Sequence, residues 1–367
     1  MADERNYTLY GTEFSLYTGK VRAYLRYKGI PYKEVLSTMG VYERVIVPNT
    51  GVRMIPVVQT PSGEFIQDTT EIIDALEARF PERGIYPETP RQRLASLLIE
   101  LYADEWLLIP AMHYRWSFPE QNERFIMAEF GKVAAPWAPA FIRRALARKR
   151  ASFFSGMLPV LGISKETGPA IEQWYESLLD HLEQHFSRHR YALGERASMA
   201  DFGLIAPLYA HLYRDPAPGR IMRERAPSVA RWVERMFEDQ PAIGEWLPGD
   251  EVPDTLLPIL RHQFREQFPV LRETVETVAD YVSEHPGERV RRRVGQHRFR
   301  IGDAEGERAV MAYPQWMLQR ALDYYNGLAG ADREAAEQLL DAAGGREAMG
   351  MEIPRRLVRR NNQLWPA

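Results

Sequence analysis

The sequence contains no cysteine among its 367 residues. This absence excludes disulfide bonds, metal sites built from thiolates and any mechanism in which a protein thiol is the nucleophile. Redox chemistry carried by the chain's own side chains is excluded with them.

Long apolar runs and a strong excess of either charge are also missing. No uninterrupted apolar run approaches the ~20 residues of a membrane-spanning helix, and the first residues, Met1–Asn6, include charged side chains, unlike a signal peptide. The net charge is -3 and the pI about 6.3, a balance that does not favour nucleic acid or an anionic membrane. We therefore expect a soluble cytoplasmic protein with no nucleic-acid partner and no membrane partner.

The chain does have length and apolar content. With 45% apolar residues, a chain of this size can bury two or three hydrophobic cores, so more than one domain is expected. Intrinsic disorder is not expected at this composition.

The first part of the sequence alternates strand and helix signals. Between two segments rich in β-forming residues, Val21, Tyr24 and Leu25 stand at helical spacing, and Gly29 can end that helix. Lys28 is expected to bury only its stem. We predict, in order, a strand at 7–11, a helix ending at Gly29, a strand at 32–36, a loop at 37–53, a hairpin at 55–67 and a helix that is capped at Asp68 and stopped by Pro81.

Pro56 stands at the start of a predicted strand, where its missing N–H is tolerated. A cis bond between Ile55 and Pro56 would turn the main chain of Ile55 outward, so that its N–H and C=O could pair with an extended peptide ligand. A trans proline at a strand start is the alternative.

Two linked stretches here resemble glutathione transferases. Residues 54–58, Met-Ile-Pro-Val-Val, are similar to the V-P-x-L strand of that family, and residues 68–77 resemble its E-S-x-A-I-x-x-Y-L-E turn and helix. The resemblance implies a thioredoxin-like, glutathione-binding α/β domain at residues 1–85. It also implies a glutathione site made of the following residues: Met54, Ile55, Pro56, Gln67, Asp68 and Thr69.

The residue types at 68 and 69 suit the γ-glutamyl end of glutathione. Thr69 offers a hydroxyl and a free N–H at a helix N-terminus, which favour an α-carboxylate, and Asp68 would meet the ammonium. The alternative is a simple helix cap, because Asp68 with Glu71 also fits a capping box.

The segment around the first helix resembles the zeta and omega classes of the family, in register at Arg22 and at residues 28–30. That register implies a serine-type enzyme in which Ser15 donates a hydrogen bond to the glutathione sulfur. Such a bond lowers the thiol pKa so that thiolate exists near neutral pH. Ser15 as a helix N-cap without a ligand is the alternative.

Leu16 departs from this pattern, because omega-type sequences carry proline there. Tyr17 and Thr18 therefore compete with Ser15 as catalytic residues. The absence of cysteine also argues against the glutathionylation and dehydroascorbate chemistry of omega-type enzymes, so conjugation or isomerisation fits better.

From about residue 90 to 250 the composition is helical. Residues 191–204 resemble the core motif L-x-G-x-x-x-S-x-A-D-x-x-L of the family, which implies its all-helical C-terminal domain at 90–250. Ser198 and Asp201 are expected to form a capping box with a structural role. The resemblance as a whole spans residues 7–245.

In this family the acceptor substrate lies between the two domains. An aromatic wall in the first helices of the second domain could line such a pocket, although an aromatic stripe is also typical of a core. No metal site is predicted, because His113 lacks a partner at the i+4 position. The candidate pocket residues are Tyr102, Trp106, His113 and Tyr114.

Residues 251–367 lie beyond the two domains that the resemblance implies. Helical stripes at 254–283, 313–328 and 331–343, with a hairpin at 290–312, predict a small additional α+β domain of unknown function. Six arginines between 289 and 300 could form an anion site, but nearby carboxylates favour a solvated, salt-bridged surface. The basic run Arg355–Arg360 is also expected to be surface.

The sequence thus predicts a glutathione S-transferase-like enzyme, whose co-substrate is glutathione and whose second substrate is a small electrophile. The resemblance further implies a homodimer and a role in detoxification. The alternative is a non-catalytic relative, in which the same fold serves as an interaction or assembly module.

Overall fold

The computed structural model describes residues 6–134, 136 and 138–367. The first elements are β1 (Tyr7–Gly11), α1 (Leu16–Lys28), β2 (Tyr32–Leu36), α2 (Met39–Val41), a π-helical turn (Tyr42–Ile46), α3 (Val47–Thr50), β3 (Val57–Gln59), β4 (Phe65–Gln67) and α4 (Thr69–Arg79). Their four strands form one sheet in the order β2-β1-β3-β4. β2 is parallel to β1, whereas β3 is antiparallel to both β1 and β4.

Most of this part agrees with the sequence-based expectation. α1 ends at Gly29, which has a φ of 69° and supplies the left-handed C-cap. The loop predicted at 37–53 is wrong, because much of it is helical. Tyr42 and Ile46, four positions apart, turn toward Tyr10 and Val57 on the sheet and bury an apolar face there.

A helical region follows. Its elements are α5 (Pro90–Glu105), α6 (Leu108–Ser117), α7 (Pro119–Ala134), α8 (Ala140–Ser155), a 3-10 turn (Pro159–Leu161), α9 (Gly168–Phe186), α10 (Met199–Pro207), a π-helical segment (Leu208–Tyr213), α11 (Pro216–Arg225) and α12 (Pro227–Arg235). The predicted capping box at the start of α10 is present, with Ser198 and Asp201 in reciprocal bonds. Asp201 also accepts a bond from the indole of Trp232.

The last region mixes helices and hairpins. Its elements are two 3-10 turns (Pro248–Asp250 and Asp254–Leu256), α13 (Leu257–His262), a π-helical segment (Gln263–Gln267), α14 (Phe268–Glu284), β5 (Arg293–Ile301), β6 (Ala304–Met311), α15 (Tyr313–Gly327), α16 (Gly330–Ala343), α17 (Arg346–Met349), β7 (Leu357–Arg360) and β8 (Gln363–Pro366). The hairpin β5–β6 and the three helical stripes agree with the prediction. The hairpin β7–β8 was not predicted.

These regions share one hydrophobic core. The same buried cluster includes Leu9 from the sheet, Leu98 from α5 and Leu322 from α15, and both α15 and α16 pack against α5. The predicted fold class is therefore confirmed: a thioredoxin-like α/β domain, an all-helical domain and a small α+β extension. The domain limits 1–85, 90–250 and 251–367 stay predictions.

Among the residues that the structure describes, no helix combines the length and the apolar character that crossing a bilayer requires.

His185 in α9 gives stability a predicted pH dependence. Its Nδ1 lies 2.7 Å from the Thr255 hydroxyl and its Nε2 lies 3.3 Å from the carbonyl of Tyr191. Burial, with a smaller contribution from His189, lowers the pKa of His185 to about 3. The unfolded chain binds a proton near pH 6.5, so this contribution is complete above that pH and is lost as the pH falls toward 3.

We expect the free energy of unfolding to fall by about 2 kcal/mol between pH 7.5 and pH 5 because of this residue. In His185→Gln, whose amide can keep both hydrogen bonds without titrating, that part of the loss should disappear. Urea denaturation of both proteins at the two pH values measures the difference. Equal losses in both would contradict the assignment.

Candidate functional site

The predicted glutathione-binding residues lie where β4 passes into α4. Asp68 is the N-cap of α4, with a φ of 92°, and its Oδ1 accepts a hydrogen bond of 3.0 Å from the N–H of Thr70. A non-glycine residue at positive φ is uncommon, although Asp tolerates it better than most. Gln67 and Thr69 on either side are both 4% exposed.

The cap at Asp68 differs in one respect from the predicted capping box. The carboxylate of Glu71 does not return to the N–H of Asp68, and its Oε2 lies 3.3 Å from the guanidinium of Arg359 instead. The N–H groups at the start of α4 still point away from the helix, as an anion site requires.

The bond between Ile55 and Pro56 is cis, as the sequence predicted. Met54 and Ile55 are half-buried, whereas Pro56 is buried at the start of β3. Within the described part of the chain, the main chain of Ile55 makes no hydrogen bond to another main-chain group.

Ser15 is the N-cap of α1, and its Oγ accepts a hydrogen bond of 3.3 Å from the N–H of Thr18. The side chain is half-buried. Its hydroxyl hydrogen has no acceptor among the residues that the structure describes, so this group can still donate one hydrogen bond.

The two competing hydroxyls already have partners. Tyr17 donates to the carbonyl of Asp104 at 2.9 Å, and burial, reinforced by Glu105 and other carboxylates, raises the pKa of Tyr17 well above its ordinary value. Thr18 is fully buried, and its Oγ1 accepts from the N–H of Thr12 at 3.4 Å. Tyr17 already donates its hydrogen, and Thr18 is 0% exposed whereas Ser15 is half-buried, so the geometry favours Ser15 as a donor to a ligand.

A buried ion network holds α1 against α5. The Nζ of Lys20 lies 3.0 Å from Glu100 and 2.6 Å from Asp104, and the Lys20 side chain is 0% exposed. Burial by itself would lower the pKa of Lys20, but the charges of Asp104 and Glu100 outweigh burial and raise it. Because this network lies one turn after Ser15, it fixes the start of α1 relative to the helical region.

The additional C-terminal region closes over the candidate site, a feature that sequence reasoning missed. The hydroxyl of Tyr313, the first residue of α15, donates to Oδ2 of Asp68 at 2.7 Å. Arg359, in β7, donates from Nη2 to Oε1 of Gln67 at 2.8 Å. Expecting the whole run Arg355–Arg360 at the surface was therefore wrong for Arg359, whose side chain is 5% exposed, and for Leu357, which is buried.

The other predicted surface charges agree with the structure. The six arginines between 289 and 300 are exposed, and Arg300 pairs with Glu305 at 2.9 Å across the β5–β6 turn. These arginines form the solvated face that the sequence favoured.

The four aromatic residues predicted to line an acceptor pocket are buried in the core instead. Tyr102 accepts a bond of 2.9 Å from the indole of Trp174 and lies 3.2 Å from His262. The additional region supplies His262 and Arg308, which cover Tyr102 and Trp106. The packing of residues 251–367 over α5 was not foreseen from the sequence, and the acceptor pocket stays a prediction.

His113 and Tyr114 are covered by α9. His113 Nε2 lies 2.9 Å from Glu172, and Tyr114 stacks on Phe118 and packs at a tilt against Tyr175. Burial lowers the pKa of His113, and the bond to Glu172 only partly offsets this. No group of three or more potential metal ligands occurs among the described residues.

Glu105 and Arg308 form a second polar cluster that the sequence did not indicate. Both line a cavity of about 10 Å³ between α5, α14 and the β5–β6 hairpin, with His297 and Trp106. Burial, together with Asp104 and Asp68, raises the pKa of Glu105 well above its usual range. Burial lowers the pKa of Arg308 to about 10, although Glu105 opposes that shift. The cavity has room for about one water molecule, so it does not hold an acceptor.

The buried ion network around Lys20 leads to a prediction about stability. Replacing Lys20 by Met leaves the buried carboxylate of Asp104 without the cation it contacts and leaves Glu100 with the 3.8 Å contact to Arg320, which should destabilise the protein by about 3–5 kcal/mol. The exposed Lys33 is the matched control, since Lys33→Met removes one cation without uncovering a buried charge. Urea denaturation of both variants measures the effect, and similar small losses in the two would contradict it.

Two protein-family models match this chain. "Glutathione S-transferase, N-terminal domain" matches residues 9–84, which include Ser15 and the turn at Asp68. "Glutathione S-transferase, C-terminal domain" matches residues 169–235, from α9 to the end of α12. No curated protein sequence matches the chain.

The chain is also similar to solved structures, three of which follow. A glutathione S-transferase from Rhodospirillum rubrum F11 is 17% identical, with 68% of this chain and 96% of that chain covered and a TM-score of 0.40. One from Methylobacterium radiotolerans, in complex with glutathione sulfonate, is 19% identical, with 67% and 100% covered and a TM-score of 0.40. The beta-etherase LigF from Sphingobium sp. strain SYK-6 is 19% identical, with 63% and 94% covered and a TM-score of 0.44.

Proposed function

Because this chain belongs to the glutathione S-transferase superfamily, we propose that it is a glutathione-dependent transferase. It activates the glutathione thiol for attack on, or isomerisation of, a small electrophile. Glutathione is the co-substrate, and no metal takes part. The observation that carries this proposal is the hydrogen bonding of Ser15. Its Oγ accepts a bond from the N–H of Thr18 at the start of α1, and its hydroxyl hydrogen has no acceptor among the described residues, so it can be donated to a ligand.

In the proposed mechanism, Ser15 donates this hydrogen bond to the glutathione sulfur and stabilises the thiolate, the role implied by the resemblance to classes that have serine or cysteine at this position. The N-terminus of α1 adds positive potential at the same place. Thr69 and Asp68 bind the α-carboxylate and the ammonium of the γ-glutamyl end, and Ile55 pairs with the cysteinyl main chain. Met54, Pro56 and Gln67 complete the proposed site.

Ser15→Ala should lower kcat/KM for conjugation to chlorodinitrobenzene by about 10²-fold, because the glutathione thiolate loses one hydrogen-bond donor. The affinity for glutathione should change far less, since the other contacts remain. Steady-state kinetics with calorimetric titration separates the two effects.

Tyr17→Phe is the control for this experiment, because it removes a hydroxyl that already donates to the Asp104 carbonyl. It should retain the rate of the unmodified protein. An unchanged rate in Ser15→Ala would reject the role of Ser15, and a large loss in Tyr17→Phe would transfer that role to Tyr17.

One observation favours a second candidate, a non-catalytic interaction or assembly module. Gln67 and Asp68, which a γ-glutamyl group would need, already bond to Arg359 and Tyr313. Calorimetric titration of the full chain with glutathione distinguishes the two functions. Binding supports the transferase, and no binding at millimolar ligand supports the module.

The same resemblance supports a cytoplasmic homodimer that acts in detoxification, with no nucleic-acid or membrane partner. The mass of one chain is 42.4 kDa. Light scattering after size-exclusion chromatography should therefore give twice that mass, and the mass of a single chain would reject the dimer.

A further inference from the structure

The C-terminal hairpin brings a cation into the proposed γ-glutamyl site. Besides its bond to the Gln67 side chain, Arg359 places Nη1 3.6 Å from Oδ1 of Asp68 and 3.3 Å from Oε2 of Glu71. Nη1 also lies 3.4 Å from the carbonyl of Gln67. A second contact from the same region, Tyr313 to Asp68, holds this arrangement in place.

Without Arg359, the surroundings of Thr69 would be negative. Asp68 and Glu71 flank the turn on which the ligand's α-carboxylate would lie, and like charges at such distances repel. Two other cations near this turn are held by different carboxylates: Lys20 contacts Glu100 and Asp104, and Arg320 contacts Asp74 at 2.6 Å. Arg359 is therefore placed to offset part of the negative charge that Asp68 and Glu71 put beside Thr69.

The guanidinium also has donors to spare. It carries five N–H groups in a planar fork that matches a carboxylate. Within the described residues two hydrogen bonds from it go to Gln67, and Nη1 is also within ion-pair distance of Asp68 and Glu71, which leaves some of the five N–H groups unused. A ligand carboxylate could therefore bind without breaking the bonds that position the side chain.

We propose that Arg359 binds the α-carboxylate of the ligand's γ-glutamyl group, together with Thr69, so that the additional region completes the glutathione site. This inference rests on the proposed function, because it takes glutathione as the ligand. It also defines the ligand class: γ-glutamyl peptides whose α-ammonium and α-carboxylate are both charged, the first facing Asp68 and the second facing Arg359.

The test is calorimetric titration of the full-length protein and of Arg359→Met with two peptides. One is glutathione, and the other is 4-aminobutyryl-cysteinyl-glycine, which has the ammonium but lacks the α-carboxylate. Arg359→Met should bind glutathione about 10- to 100-fold more weakly, the usual effect of losing a hydrogen bond to a charged group. Its affinity for the second peptide should equal that of the unmodified protein.

Two further variants guard against a general loss of structure. Arg360→Met changes the next residue of β7, which is exposed, and should bind both peptides normally. Arg359→Lys keeps the charge without the planar fork and should recover part of the affinity for glutathione.

Four other results would each contradict the inference, and they can be told apart. Equal weakening for both peptides would make Arg359 a merely structural residue. Unchanged binding of glutathione by Arg359→Met would reject the carboxylate contact and leave the proposed function intact, and tighter binding would show that Arg359 competes with the ligand. If no protein binds glutathione, the inference and the proposed function fail together.

Discussion

The carboxylate of Glu100 joins four elements of the protein at one buried point. It accepts hydrogen bonds from Lys20 of α1 and Thr70 of α4 at its Oε1, and its Oε2 lies 3.8 Å from Arg320 of α15. A buried charge is tolerable only when it is paired and hydrogen-bonded. The two helix N-termini of the candidate site, at Ser15 and Thr69, therefore keep their relative position only while α5 and α15 are in place.

The additional region is consequently part of the site's architecture. α15 reaches the N-terminal domain through Tyr313 and through Arg320, which pairs with Asp74 and donates to Tyr86. The same region covers the aromatic residues of α5 that would otherwise face outward. It also adds the polar groups of Tyr313 and Arg359 to the turn at Asp68.

Much of the fold could be predicted because the signals are local. The Gly29 cap, the capping box at Ser198 and the glycine-containing turn of β5–β6 each depend on residues close together in the sequence. The β7–β8 hairpin also had a local signal that went unused. Asn361 and Asn362 both adopt positive φ, as a two-residue hairpin turn requires.

The features that could not be predicted depend on contacts distant in sequence. A lysine at a helix end normally keeps its ammonium in water, yet Lys28 is buried, because its Nζ meets Glu77 at 2.8 Å and the Phe80 carbonyl at 2.6 Å. Arg359 stands in a basic run that is typical of a solvated surface. The burial of Tyr102 and Trp106 likewise depends on residues more than a hundred positions later in the chain.

The contact between Arg359 and Gln67 spans 292 positions of the chain. Contacts of such separation contribute most to contact order, and the loop-closure entropy they require delays their formation relative to local hairpins and helices. During folding, the sheet and α4 can thus form while the turn at Asp68 still lacks its cation. Assembly of the candidate site would then be among the last steps of folding. A nascent or partly unfolded chain would hold the thioredoxin-like sheet without the contacts that Arg359 makes to Gln67, Asp68 and Glu71.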